Sequence, residues 1–259
     1  MLNIKDFSMD FFSLKGKTAL VTGGNSGLGQ AFSLALAKAG ADLFIPSVIE
    51  EEGETKALLT EAGAGSAFMK TDLTLAGQPA EAVRQCLAAF GSLDILVNCA
   101  GICLIDDVLS FGREQWDTMI AVNLTAAFEM SHEAAKVMIP GKSGKIINIC
   151  SLFSYLGGLG SPAYTASKHA LAGLTRTYAD ELAGHNIQVN GIAPGYYATH
   201  VTRATRSDPV KSQRILDHIP AGRWGEPQDL MGAVIFLASR ASDYINGTLL
   251  AVDGGYLVR

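Results

Sequence analysis

The sequence predicts an α/β protein: a doubly wound, parallel, seven-stranded sheet with helices on both faces. Short β-rich runs alternate along the chain with longer segments of helical period. The runs are continuously apolar rather than alternating, as strands covered on both faces are. No internal repeat or low-complexity linker interrupts the alternation. Together these features imply right-handed βαβ crossovers and a Rossmann-like single domain spanning residues 1–259.

The elements justify this in order. The run Thr18 to Val21 is the first strand, and Leu28 to Ala39 follows with apolar residues at helical spacing. Asp42 to Ile45 and Ala67 to Lys70 are the next two strands, and Glu81 to Phe90 is helical. Ile95 to Asn98 is the fourth strand, before a long helix over Arg113 to Met138. Lys145 to Ile149 then precedes a second long helix, Ala163 to Ala183. Ile187 to Ile192, a helix over Pro227 to Ala238, and Thr248 to Val252 complete the set. The most irregular stretch, residues 196–220, mixes Gly, Pro and scattered charge, and is expected to be a mobile lid over a substrate.

Composition narrows the function. Hydrophobic residues make up 48% and charged residues 17%, enough for a substantial core and too apolar for a disordered chain. Twenty Lys and Arg against twenty-five Asp and Glu give a net charge of -5, without the basic stripe that nucleic acid requires. No window approaches the roughly 18 apolar residues of a membrane span, and the stretch from Met1 to Lys17 is too charged for a signal peptide. Cys86, Cys99, Cys103 and Cys150 show neither paired nor zinc-ligand spacing, so reduced thiols in a cytoplasm and no metal are expected. His132, His169, His185 and His218 have no partners that suggest metal or triad chemistry.

The first strand runs into Thr22-Gly23-Gly24-Asn25-Ser26-Gly27-Leu28-Gly29, and a helix starts at once. Glycine permits positive φ and close backbone approach, while free amides at a helix N-terminus favour a pyrophosphate. Gly23, Asn25, Ser26, Gly27, Leu28 and Gly29 are therefore candidate dinucleotide contacts, although the spacing is T-G-x-x-x-G-x-G rather than G-x-G-x-x-G. About 20 residues on, where an acid would bond the ribose hydroxyls, the chain has Pro46-Ser47. Ser47 can bond a hydroxyl or serve as an ordinary turn residue. With no basic residue at Asn25 or Ser26 to hold an extra phosphate, the sequence points to NAD and leaves NADP open.

Tyr164 and Lys168 are four residues apart on a helix and so share a face. A free phenol has a pKa of about 10, and a nearby ammonium favours its charged form, which suits the pair to acid–base work. Ser151 follows the strand Lys145 to Ile149, at the strand ends where ligands bind such sheets, and its hydroxyl could hold a substrate oxygen.

With these motifs in order, the chain from Lys15 to Val252-Asp253-Gly254-Gly255 resembles the short-chain dehydrogenase/reductase family. The resemblance implies further roles. Asn98-Cys99-Ala100-Gly101 is similar to the family's N-N-A-G, with Asn98, Ala100 and Gly101 at the cofactor, and Asp72-Leu73 to its adenine-contacting pair. Cys99 departs from the usual second asparagine. Asn123 matches the asparagine that joins a proton relay through water and Lys168, and Pro194, Gly195 and Thr199 the loop that holds the nicotinamide amide. The segments Ile219 to Gly225, Asp229 to Gly232 and Ala241 to Gly247 resemble the sugar-acid branch, the 2-deoxy-D-gluconate 3-dehydrogenase and 2-dehydro-3-deoxy-D-gluconate 5-dehydrogenase type.

The implied activity is hydride exchange between a secondary alcohol of a small-molecule substrate and NAD(P). A gluconate 5-dehydrogenase, a 3-oxoacyl reductase and a dinucleotide sensor without turnover are the alternatives. A carboxylate enclosed by the lid would need a charged or multiply donating partner, which makes Arg203 and Arg206 candidates, while His200 could reach a sugar hydroxyl. The family also implies a homotetramer built on the two long helices.

Overall fold

The computed structural model describes residues 4–200 and 202–259. Its sheet has seven strands, all parallel, in the order β3-β2-β1-β4-β5-β6-β7. The strands are β1 (Thr18–Val21), β2 (Asp42–Ser47), β3 (Ser66–Lys70), β4 (Ile95–Asn98), β5 (Gly144–Ile149), β6 (Ile187–Pro194) and β7 (Leu249–Val252). The helices between them are α1 (Gly27–Lys38), α2 (Glu54–Glu61), α3 (Gln78–Phe90), α4 (Arg113–Ile120), α5 (Ala126–Gly141), α6 (Pro162–Leu182), α7 (Arg203–Ser207), α8 (Pro209–Leu216) and α9 (Met231–Ala238). The order reverses between β1 and β4, so the ends of these strands open a crevice on the carboxyl side of the sheet.

Alternating strand residues feed two cores. Ala19 and Val21 of β1 and Ile95 and Val97 of β4 pack with Phe32 and Leu36 of α1 and Val234 and Leu237 of α9. Leu20 and Leu96, pointing the other way, meet Val83 of α3, Met130 and Met138 of α5 and Leu182 of α6. A central strand buried on both faces reads as an apolar run for this reason. The edge strands β3 and β7 are only partly buried.

Three features differ from the sequence expectation. The 196–220 segment carries α7 and α8 instead of irregular chain, apart from Val201, which lies outside the described residues. Asp208 starts α8 by accepting from the amides of Val210 and Lys211, with Pro209 in the first turn. Neither helix buries a residue, and they span only five and eight residues, too short for the sequence pattern to mark them as helical. The helix expected over Arg113 to Met138 runs on to Gly141 and is broken by a π-helical turn at Ala121–Thr125. Finally, α2 is a helix the apolar pattern did not show, because it buries only Thr55 and Leu59. Among the described residues, no helix is long and apolar enough to cross a membrane.

Candidate active site

The crevice holds a cavity of about 1020 Å³ reaching from the glycine turn to Tyr164. The turn is built for close approach. Gly23 and Gly27 have φ of 64° and 51°, and the Gly23 amide donates to the Pro46 carbonyl at 2.9 Å. A Cβ on Gly29 would overlap the Gly23 carbonyl oxygen, and one on Gly24 would lie 2.6 Å from Ser33 Oγ. Ser26 caps α1 without a side-chain cap bond, leaving the first amides of the helix for a ligand. This cradle fits a dinucleotide pyrophosphate.

Thr22, to which sequence reasoning gave no role, ties the turn to the next strand. Its Oγ1 accepts from the amides of Cys99 and Ala100, each at 2.9 Å, so β4 continues past its end beside the turn. The threonine at the strand end was the only signal. Ser47 Oγ accepts from the Ile49 amide at 3.1 Å, and Asn25 Nδ2 donates to the Ile49 carbonyl at 2.9 Å. Asp72 turns its Oδ1 to the amide and hydroxyl of Thr74, at 2.9 and 2.7 Å. Ser47, Asp72 and Leu73 line the cavity, while Asn25 does not.

At the other end, α6 starts at Pro162 and presents Tyr164 and Lys168 on one face. Ser151 follows β5 and caps a short turn, accepting from the Phe153 amide at 3.1 Å. All three line the cavity, with Ala100, Gly101, Pro194, Gly195, Thr199 and His200. Burial pushes the Tyr164 phenol upward, and a hydrogen bond from Ser151 draws it partly back. Burial likewise pushes the Lys168 ammonium down. Its Nζ donates to the Ile149 carbonyl at 2.7 Å and lies 5.6 Å from the centre of the Tyr164 ring. Three thiols surround this pair. Burial holds Cys99 up at about 12 and also raises Cys103 and Cys150, which keeps them neutral beside the ammonium.

Two asparagines sit behind the cavity rather than on its wall. Asn98 Nδ2 donates to Ser131 Oγ and Asn148 Oδ1, both at 2.9 Å, and Asn148 donates onward to Thr175, knitting β4 and β5 to α5 and α6. Asn123, in the π-helical turn, clasps Ile102 through both its amide and carbonyl at 2.8 Å and reaches Ser167 at 3.3 Å. A Cβ on Gly101 would lie 3.2 Å from Asn123 Oδ1 and 3.8 Å from Lys168 Nζ, so the two polar groups converge beneath that glycine. Single π turns often mark functional positions of this kind.

Arg203 and Arg206 are exposed on α7 and are not among the residues lining the cavity. The Arg206 guanidinium instead donates to the Thr199 carbonyl at 3.1 Å. Of the three residues expected at the substrate, only His200 lines the cavity. Among the described residues no cluster of His, Cys, Asp and Glu could hold a metal ion.

Comparison with known proteins agrees with this geometry. The model of a family described as enoyl-(acyl carrier protein) reductase matches residues 23–257. The chain is 67% identical over 257 residues to an uncharacterized oxidoreductase, YgcW, of Escherichia coli K12, covering 99% of this chain and 98% of that protein. It is 49% identical over 250 residues to the 2-dehydro-3-deoxy-D-gluconate 5-dehydrogenase of the same organism, covering 96% and 98%. The crystal structure of a gluconate 5-dehydrogenase from Burkholderia cenocepacia, in complex with NADP and tartrate, is similar with a TM-score of 0.92 and 38% identity, covering 96% and 98%.

Proposed function

The chain belongs to the short-chain dehydrogenase/reductase family of NAD(P)-dependent oxidoreductases, and from that premise we propose that it interconverts a secondary alcohol and a ketone of a sugar acid. In this reading the substrate is 2-dehydro-3-deoxy-D-gluconate, 2-deoxy-D-gluconate or a close relative. The observation that carries it is the meeting of Ser151, Tyr164 and Lys168 at the far end of the cavity opened by the glycine turn.

A bound nicotinamide cofactor supplies the hydride acceptor or donor. Gly23, Gly27 and Gly29, which line the cavity, would cradle its pyrophosphate, Asp72 and Leu73 would hold its adenine end, and Thr199 would hold its amide. Ser151 holds the substrate oxygen. As the alcohol is oxidised, its C–H electron pair leaves as hydride and its hydroxyl proton passes to the Tyr164 oxygen; reduction returns both. Burial raises the phenol and the Ser151 hydrogen bond lowers it; Lys168, fixed by the Ile149 carbonyl, lies beside the ring, and a nearby ammonium favours the phenolate that the first direction requires. Asn123 holds the Ile102 backbone beside this group, and in this reading it joins a proton relay through water and Lys168. His200 contacts the substrate from the loop after β6. Trp116 on α4 and Phe128 on α5 are exposed aromatics, and their apolar surface suits a homotetramer built on the long helices.

A spectrophotometric screen tests the proposal. Sugar acids, neutral polyols and a 3-oxoacyl thioester are offered with each cofactor, and turnover of a sugar acid at about 1–1000 per second is expected. Turnover confined to the neutral or acyl compounds would overturn the substrate class, and cofactor binding without any turnover would favour the sensor.

The adenosine end favours NAD. Ser47 spends its oxygen on the Ile49 amide, and the rim continues through exposed Val48 and Ile49 into Glu50 and Glu51. The nearby cation Lys70 is paired with Glu50 at 2.7 Å. An added ribose phosphate would have to compete with Glu50 for that cation. The kcat/KM with NAD is expected to exceed that with NADP about tenfold, an effect worth about 1.4 kcal/mol. A preference for NADP in the same assay would overturn this assignment.

A further inference from the structure

We infer that Arg206 is a positioning residue for the nicotinamide-binding loop, acting through Thr199 and not through the substrate's acid group. The inference rests on the assignment of Thr199 to the nicotinamide amide. Four bonds fix that residue's backbone. Its amide donates to the Tyr197 carbonyl at 3.0 Å and to Thr202 Oγ1 at 3.1 Å. Its carbonyl accepts from Thr202 Oγ1 at 3.2 Å and from Arg206 Nη2 at 3.1 Å. Thr202 also donates to the Tyr197 carbonyl at 2.6 Å, and Arg206 Nε lies 3.4 Å from the same hydroxyl. Thr202 is thus a hub one turn ahead of Arg206, whose own amide donates to the Thr202 carbonyl at 2.9 Å.

The geometry explains why an arginine serves here. Among the described residues, backbone bonds to Val252 and Gly225 hold the stretch after β6 as far as Ala198, and Thr199 beyond it is held by its local turn and by the side chains of Thr202 and Arg206. A guanidinium offers several donors in one plane and can hold a carbonyl and a hydroxyl together, which a single ammonium cannot do with the same geometry. With Thr199, His200 and Thr202 all lining the cavity, whatever fixes this loop sets the wall against which the cofactor's reactive end rests. Arg206 itself remains outside.

Two variants and two readouts test this. Arg206→Ala is expected to weaken binding of the reduced cofactor about tenfold, equivalent to about 1.4 kcal/mol for a charge-assisted bond, as read by fluorescence titration. At saturating cofactor, the KM values for D-gluconate and for uncharged D-gluconamide should then change by the same factor. Arg206→Lys, which keeps the charge and one donating nitrogen in place of the planar fork, should recover part of the cofactor affinity. An unchanged cofactor affinity in Arg206→Ala would overturn the inference, and so would a KM increase confined to the acid. Absence of cofactor binding in the parent protein would instead remove the oxidoreductase reading on which the inference stands.

Discussion

Tyr164→Phe is expected to lower kcat by about 10²- to 10⁴-fold, the usual contribution of a positioned acid–base group. The substitution removes the oxygen that exchanges the proton and keeps the ring that packs edge-on against Phe153 with centroids 5.9 Å apart. The glycine turn and Thr199 are untouched, so fluorescence titration should show cofactor affinity close to the parent's. Burial raises the phenol's pKa and keeps it neutral in the free protein, so the exchange for phenylalanine removes no resting charge from the site. A parent-like rate in this variant would remove Tyr164 from the mechanism.

Gly29→Ala is expected to weaken cofactor binding by on the order of 10- to 100-fold, equivalent to about 1.4–2.8 kcal/mol. Two effects oppose each other. Alanine in a helix gains roughly 0.5–1 kcal/mol over glycine, and Gly29 lies in the first turn of α1 without the positive φ of its neighbour Gly27. Against that, the added Cβ would overlap the Gly23 carbonyl oxygen and sit 2.9 Å from its carbon, both backbone atoms. No rotamer relieves such a contact, so the turn must open and the first amides of α1 lose their aim. Cofactor affinity measured by titration should therefore fall even if thermal unfolding shifts little. Parent-like affinity would show that the turn relaxes without cost to the phosphate cradle.

Both outcomes concern residues that the sequence singled out, yet their weight comes from contacts it could not show. The strand runs and the long helices were legible because burial on both faces of β1, β4, β5 and β6 forces continuous apolar stretches. Tyr164 and Lys168 were legible because helical spacing places them together without reference to the rest of the chain. By contrast, α7 and α8 bury nothing and span only five and eight residues, so their short polar sequences did not stand out from a loop. The π turn at Ala121–Thr125 was hidden because it lies inside one long helix whose residues on both sides are helical, and only the backbone bonding distinguishes it.

The order of residues thus carries the local grammar: which runs are strands, where the glycine turn lies, and which hydroxyl, phenol and ammonium occupy the strand ends and helix face. Where each polar side chain points was left to the packing of the folded chain. That packing turned Asn98 into a buried network with Ser131 and Asn148, joined Thr22 to Cys99 and Ala100, and pointed Arg206 at the Thr199 carbonyl instead of the cavity. The physical reason is that a long or branched polar side chain satisfies whichever partner the packed neighbours leave within reach, and most of those neighbours are distant in sequence.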